Sequence, residues 1–284
     1  MAWVRKDIND GILRPIMVKK NLSFRRVVTP DNKCFYIPTD IELVFLKESL
    51  PPDLLRCLVY IPWERDYLHF VPKRFRRFFE FVLPCLKFRT TDVHTAVCLS
   101  YWGNYTKKLE KERRVKINKK IVAYGLILHD CGWSALTKKE IAYSLAVKGL
   151  KIKEKALGPK RKHADEGAKI ARKILNEYKF KPALTKEEKE VICKAVFWHD
   201  KTEKVKGKKF PIEIKAVVDL DHLWSFTKLN FWQDTIRKDV SPQDYLKNLE
   251  RDLDSYFIFE IGKELAYTLL KERKKEVSAL LNMK

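Results

Sequence analysis

Between residues 88 and 229 the apolar positions recur at spacings of three, four and seven, the period of helices that bury one face. The run Gly125-Leu126-Ile127-Leu128 is almost wholly apolar and predicts a helix surrounded by others; it ends in His129-Asp130. On the helix predicted over D-V-H-T-A-V-C-L-S-Y-W, His94 shares a face with Val97, Cys98 and Tyr101. His163 lies seven and eleven residues before Ile170 and Ile174, and His199 follows Ile192, Ala195 and Val196 at spacings of seven, four and three. Asp221 has Val217 and Val218 behind it and Trp224 ahead. The pattern therefore predicts an all-α fold in which five helices each turn an ionisable group inward.

That arrangement is costly. A buried imidazole or carboxylate loses its hydration, at several kcal/mol unless something replaces it. Singly, an inward histidine is an ordinary core residue bonded to a carbonyl, and an inward aspartate is a cap or an ion-pair partner. Five helices making the same choice point instead to one polynuclear metal site built from four histidines and two aspartates. Asp219 competes with Asp221 for the last place. Its neighbours at helical spacing, Lys215 and His222, are polar, so it is read as solvated or supporting.

Outside this region the signals are structural. Residues 1–87 form an N-terminal extension in which R-V-V-T-P-D-N-K-C-F-Y-I-P alternates around a turn, as a short hairpin does, and residues 40–87 are helical between prolines 51, 52, 62, 72 and 84. The segment P-K-R-F-R-R-F-F-E-F reads as an amphipathic helix burying Phe75, Phe78, Phe79 and Phe81; the competing reading is a basic lip over the metal site. Thr91 or Asp92 is placed to cap the helix of His94, T-K-K-E at 137–140 has the form of a capping box, and 149–162 reads as a loop broken at Gly158-Pro159. The stretch from Lys201 to Pro211 reads as an exposed loop. Residues 230–284 form a C-terminal helical region, with one or two amphipathic helices from Tyr245 to Leu281 whose aromatics pack on the core.

Composition narrows the setting. With 284 residues, 45% of them hydrophobic, the chain can bury a sizeable core. It has no apolar run of about 18 residues to span a membrane, no apolar stretch near its start, and six scattered cysteines without a C-x-x-C pair. The expectation is a cytoplasmic protein with reduced thiols. The formal net charge of +22 is mostly lysine spread along the chain. It favours a small anionic, phosphate-containing substrate; nucleic acid is the less favoured partner. Lys160, Arg161 and Lys162 precede His163 within one turn, Arg89 precedes His94, and Asp200 and Lys201 follow His199. Each cation reads either as a substrate contact or as an ordinary charged position.

The order His94, His129-Asp130, His163, His199, Asp221, with Gly167-Ala168 after the third histidine and Asp221-His222-Leu223 at the end, resembles the HD-domain superfamily of metal-dependent phosphohydrolases. The resemblance covers roughly residues 88–229 and implies an HD-domain helical bundle. The two middle histidines resemble the subset that holds two metals. It implies that His94, His129 and Asp221 hold the first ion, His163 and His199 the second, and that Asp130 bridges them.

Mixed imidazole and carboxylate ligands suit two divalent transition-metal ions, Fe or Mn foremost, with Co, Ni or Zn as other choices. The expected function is a dinuclear phosphohydrolase that attacks a nucleotide or other small phosphoester with metal-activated hydroxide, Asp130 being the catalytic bridge. The same set in this superfamily also serves di-iron oxygenases that cleave C–C or C–P bonds. A basic nucleic-acid-binding module with a vestigial site is the third reading.

Overall fold

The computed structural model describes residues 22–145, 153–207 and 209–283. Helices dominate these residues and the only sheet among them is a two-stranded hairpin, so the fold is all-α. No helix among them is long and apolar enough to cross a membrane.

The hairpin pairs β1 (Phe24–Val28) with β2 (Cys34–Pro38) in antiparallel register, Val27 facing Phe35 and Arg25 facing Ile37. Proline then sets the rhythm. Pro52 opens α1 (Pro52–Cys57), and two 3-10 turns (Arg65–Phe70 and Lys73–Phe75) carry the chain to α2 (Arg76–Leu86). Phe75, Phe78 and Phe79 are buried as expected, but Phe81 is 45% exposed. Phe81 is three residues beyond Phe78, on a flank that only Tyr178 partly covers. Arg74 stacks on Phe75 and Trp102, which favours packing over a lip for this segment.

The next four helices are α3 (Thr91–Arg113), α4 (Lys119–Leu128), α5 (Lys138–Leu145) and α6 (Lys153–Glu177). They are followed by α7 (Lys186–Trp198), α8 (Thr202–Lys206) and α9 (Ile212–His222). The apolar α4 lies in the middle, against α3, α7 and α9. Gly125 makes this possible, since a Cβ there would come within 3.0 Å of Val217 and 3.3 Å of Ala195. α6 packs on α5, α7 and the 3-10 turn Cys131–Ala135.

Four local readings need correction. Residues 40–51 and 58–64 are not helical: Val44 pairs with Tyr60 in an isolated antiparallel bridge, and Pro51-Pro52 delays the first helix to α1. Residues 153–162 are the start of α6 rather than a loop, while 149–152 lie outside the described residues. Pro159 costs one backbone donor and a clash worth about 3 kcal/mol. The buried face of Ala164, Ala171, Ile174 and Leu175 offsets it, because packing, not propensity, supplies most helix stability in a folded chain. Neither Thr91 nor Asp92 caps α3: the cap position is Thr90, left-handed at φ 67°, and it makes no side-chain cap bond. Thr91 Oγ1 instead donates to the Leu86 carbonyl, and Asp92 accepts from the Val93 N–H at 2.8 Å. The expected loop after His199 contains α8, which buries Val205. The capping box at Thr137–Glu140 forms as expected, with Thr137 N–H donating to Glu140 at 2.8 Å and the return bond at 3.2 Å.

The C-terminal region is α10 (Lys228–Lys238), α11 (Pro242–Tyr256) and α12 (Glu260–Leu281). Phe257 and Phe259 are buried between α11 and α12, and α12 packs on α3 and the 3-10 turn Leu223–Phe226, while Tyr267 stays exposed. One apolar cluster runs from Val27 to Leu280. A smaller one, with Leu54, Leu58, Trp133 and Ile141, joins α1 to α5 and the turn after Asp130.

Candidate metal centre

His129 and His199 occupy equivalent positions, each the residue that ends a helix, α4 and α7 respectively. Each accepts the same local constraint: Nδ1 lies 2.6 Å from the carbonyl three residues back, Leu126 in one case and Val196 in the other. A carbonyl only accepts, so Nδ1 carries the proton and Nε2 presents a lone pair. Fixing the tautomer through the outer nitrogen is how a ligating histidine is prepared. The negative end of each helix dipole also favours a cation at these positions.

The two lone pairs converge. His129 Nε2 lies 3.2 Å from Asp221 Oδ1 and 3.5 Å from Asp130 Oδ2. His94, on the first turn of α3, places Nε2 2.9 Å from Asp221 Oδ1 and Nδ1 3.1 Å from Asp130 Oδ2. On the other side of Asp130, Oδ1 faces His163 Nε2 at 3.3 Å and His199 Nε2 at 3.5 Å, and those two nitrogens are 3.2 Å apart. Asp130 thus gives one oxygen to each pair of histidines. His94, His129 and Asp221 form one group able to hold an ion, and Asp130, His163 and His199 another.

The spacings are compatible with ions as well as with hydrogen bonds. Bonds of about 2.1 Å put adjacent ligand atoms about 3.0 Å apart around an octahedral ion and about 3.4 Å apart around a tetrahedral one. The separations of 2.9, 3.2, 3.3 and 3.5 Å fall on these edges. His94 Nε2 and His129 Nε2 are buried without a hydrogen-bond partner, and lone pairs turned towards carboxylate oxygens repel unless a cation lies between them. All six side chains are buried.

Without an ion the pocket would have to take up protons. Burial opposes charging His199, but Asp200, Asp130 and Asp221 push it up to about 10. Burial likewise opposes His94, which Cys98, Asp130 and Asp221 nevertheless hold well above the imidazole range. Burial would raise Asp130 and Asp221, yet the histidines hold both well below the usual carboxylate range. Burial, with the neighbouring His199, pulls His163 down against Asp130 and Asp200. These opposing shifts mark a cluster whose charges balance only with added positive charge.

Backbone contact builds the pocket's far wall. A Cβ on Gly132 would meet the His163 carbonyl at 2.0 Å and Gly167 N at 2.7 Å, so α6 rests directly on the turn after Asp130. Trp133, in that turn, stacks on His163 at 4.1 Å and donates its Nε1–H to Asp130 Oδ1 at 2.9 Å. Trp224 stacks on His94 at 5.0 Å.

All six expected ligands come together. Asp219 does not join them, and it is not solvated either: it is fully buried, accepting from Tyr105 Oη at 2.8 Å, Ile258 N at 2.7 Å and Phe259 N at 3.0 Å. Burial pushes it up to about 7 against these donors. Tyr105 lies 114 positions earlier and Ile258 and Phe259 about 40 later in the chain, so local spacing could not show them.

The cations separate into two sets. Arg161 and Lys201 lie towards the exposed edge, where Asp200 Oδ2 reaches within 3.6 Å of His199 Nε2 and 3.8 Å of His163 Nε2. Burial lowers the Lys201 ammonium, on which Asp165, Asp200 and Arg161 also act, and it sits 3.5 Å over the Phe197 ring. Lys160 is exposed, and Lys162 is held by Glu140 at 3.0 Å. Arg89 instead lies over the Trp133 ring at 4.5 Å, in a separate cavity lined by none of the six ligands. Trp133 and the Trp224 stack are site features that the sequence pattern does not single out; Asp200, named there only as the neighbour of His199, sits at the exposed edge. The repeated His-Asp pair at a helix end, 129-130 and 199-200, was the available signal for Asp200.

No protein-family model matches the chain, and no curated protein or solved structure gives a significant match to it.

Proposed function

We propose that this chain is a dinuclear metal-dependent phosphohydrolase of the HD-domain type, acting on a nucleotide or another small phosphoester. The observation that carries the reading is Asp130, whose two oxygens divide between His94 with His129 and His163 with His199 in a dry pocket. That is the placement required of a carboxylate shared by two ions.

His94, His129 and Asp221 would hold one ion, His163 and His199 the other, with Asp130 between them; Fe or Mn fits this donor set best. When bound, such a pair acts as a Lewis acid, making water nucleophilic near neutral pH and withdrawing charge from a phosphoryl oxygen. The chain supplies the rest. The carbonyls of Leu126 and Val196 keep His129 and His199 in the binding tautomer, and Trp133 orients Asp130. At the exposed edge, Arg161 and Lys201 offer charge to an arriving phosphate. Asp200, 43% exposed there, is positioned to accept or return a proton at its Oδ2.

The test joins metal analysis of protein purified without added ions to a phosphoester screen under anaerobic conditions. Two ions per chain and oxygen-independent phosphate release are expected. Fe(II)-dependent oxygen consumption with no phosphate release would replace this reading with an oxygenase, and metal-free protein that binds RNA would remove the enzyme altogether.

A further inference from the structure

A second site lies apart from the metal centre. A cavity of about 390 Å³ opens between the segment that follows α1, the start of α3 and the end of α10. Its lining has a charged end with Lys87, Arg89 and Arg237, and an apolar end with Leu58, Ile61 and Trp63.

Cations outnumber acids at the charged end: Arg237 pairs with Asp234 at 3.6 Å, and Asp92 is the one carboxylate in the lining. Arg237 is only 4% exposed, yet its Nε has no hydrogen-bond partner. Its Nη2–H donates to the Val59 carbonyl at 3.0 Å, and its nearest carboxylate, Asp234, stands 3.6 Å away and is already engaged by Lys238 at 2.8 Å and Tyr245 at 2.7 Å. Lys87 and Arg89 have no ion-pair partner among the described residues; a fourth lining cation, Lys138, is held by Glu48. Thr90 and Asp92 bring the start of α3 into this wall, where the Asp92 carboxylate already accepts the Val93 N–H. Lys87 and Arg89, two cations without an ion-pair partner among the described residues, beside the buried Arg237 guanidinium describe a seat for an anion.

We propose that this cavity binds a small organic phosphate whose aromatic or aliphatic body rests on the apolar wall. It is distinct from the metal centre but joined to it by one side chain. Arg89 covers one part of the Trp133 ring, which also stacks on His163 and bonds Asp130. A ligand that draws Arg89 towards its phosphate alters the surroundings of two metal-site residues, which suits an effector more than a substrate. The proposal does not depend on the phosphohydrolase reading.

Calorimetric titration of the full chain with phenylphosphonate, a phosphate mimic that resists hydrolysis, tests it. Binding with a dissociation constant below about 1 mM is expected, at least tenfold tighter than inorganic phosphate. Arg89→Gln, at a partly exposed position, should weaken binding tenfold or more with the melting temperature followed alongside, and Lys87→Gln, at an exposed one, should weaken it in the same direction. Asp130→Ala should bind as the wild type does, and should that variant fail to fold, chelator-treated wild type takes its place. Binding that survives Arg89→Gln but disappears with Asp130→Ala or chelation would put the ligand on the metals and overturn the proposal. Equal affinity for inorganic phosphate, or no binding, would overturn it too.

Discussion

Gly132→Ala is the sharpest perturbation of the pocket, because it adds one methyl group where two backbones touch. The new Cβ would lie 2.0 Å from the His163 carbonyl and 2.7 Å from Gly167 N, against ordinary contacts of about 3.5 Å. Neither obstacle is a side chain that can rotate away, so α6 must retreat by more than about 1 Å. Overpacking costs about 1–3 kcal/mol, and a main-chain obstacle places this case at the upper end. Unfolding entropy of about 2.1 cal/mol/K per residue, over 284 residues, is about 0.6 kcal/mol/K, so about 3 kcal/mol lowers Tm by about 5 °C. The same retreat carries His163 away from Asp130, from which it is 3.3 Å distant, so the ion held by His163 and His199 should be lost first. Gly103→Ala is the control. No heavy atom lies within 4 Å of its Cβ, and alanine in an exposed helix interior gains up to about 1 kcal/mol over glycine. Thermal unfolding followed by circular dichroism, with metal content by mass spectrometry, reads both effects. A Gly132→Ala protein that melts within a degree of wild type and keeps its full metal content refutes the contact argument.

Asp130→Ala should remove both ions and all turnover, whereas Asp219→Ala should keep the metal but melt lower, having stranded Tyr105 Oη and the Ile258 and Phe259 amides; equal metal loss would show that the wrong aspartate was assigned. Trp133→Phe keeps the stack on His163 but deletes the bond to Asp130, and a 10–100-fold weaker metal affinity in competition with a chelator is expected; unchanged affinity would deny Trp133 an orienting role. Burial would raise Asp234, but Lys238, Arg237 and Tyr245 hold it at about 2. The folded value is below the unfolded one, so the contribution, on the order of 2 kcal/mol, is present above about pH 4 and disappears as pH falls towards 2. Asp234→Asn should therefore lower stability at pH 6 and flatten the wild-type decline below pH 4 in denaturant titrations; parallel pH profiles for the two proteins would count against this.

The residue pattern was enough to determine the helical class and the inward faces that carry the six candidate ligands. Burial of one helix face writes itself into spacing: Ile192, Ala195 and Val196 aim His199 inward whatever they pack against. Local chemistry was legible for the same reason, as at Thr137–Glu140 and in the hairpin around 26–38. Tertiary structure alone decided the rest. Pro159 reads as a break, yet α6 runs through it because its other side chains have partners. Asp219 reads as solvated or supporting, and only the fold shows the three donors that seat it, two of them about 40 residues away. Arg89 reads as a neighbour of His94, yet it faces a cavity behind Trp133. In each case the deciding energy comes from groups remote in the chain, and a period of 3.6 residues carries information about a face, not about what meets it.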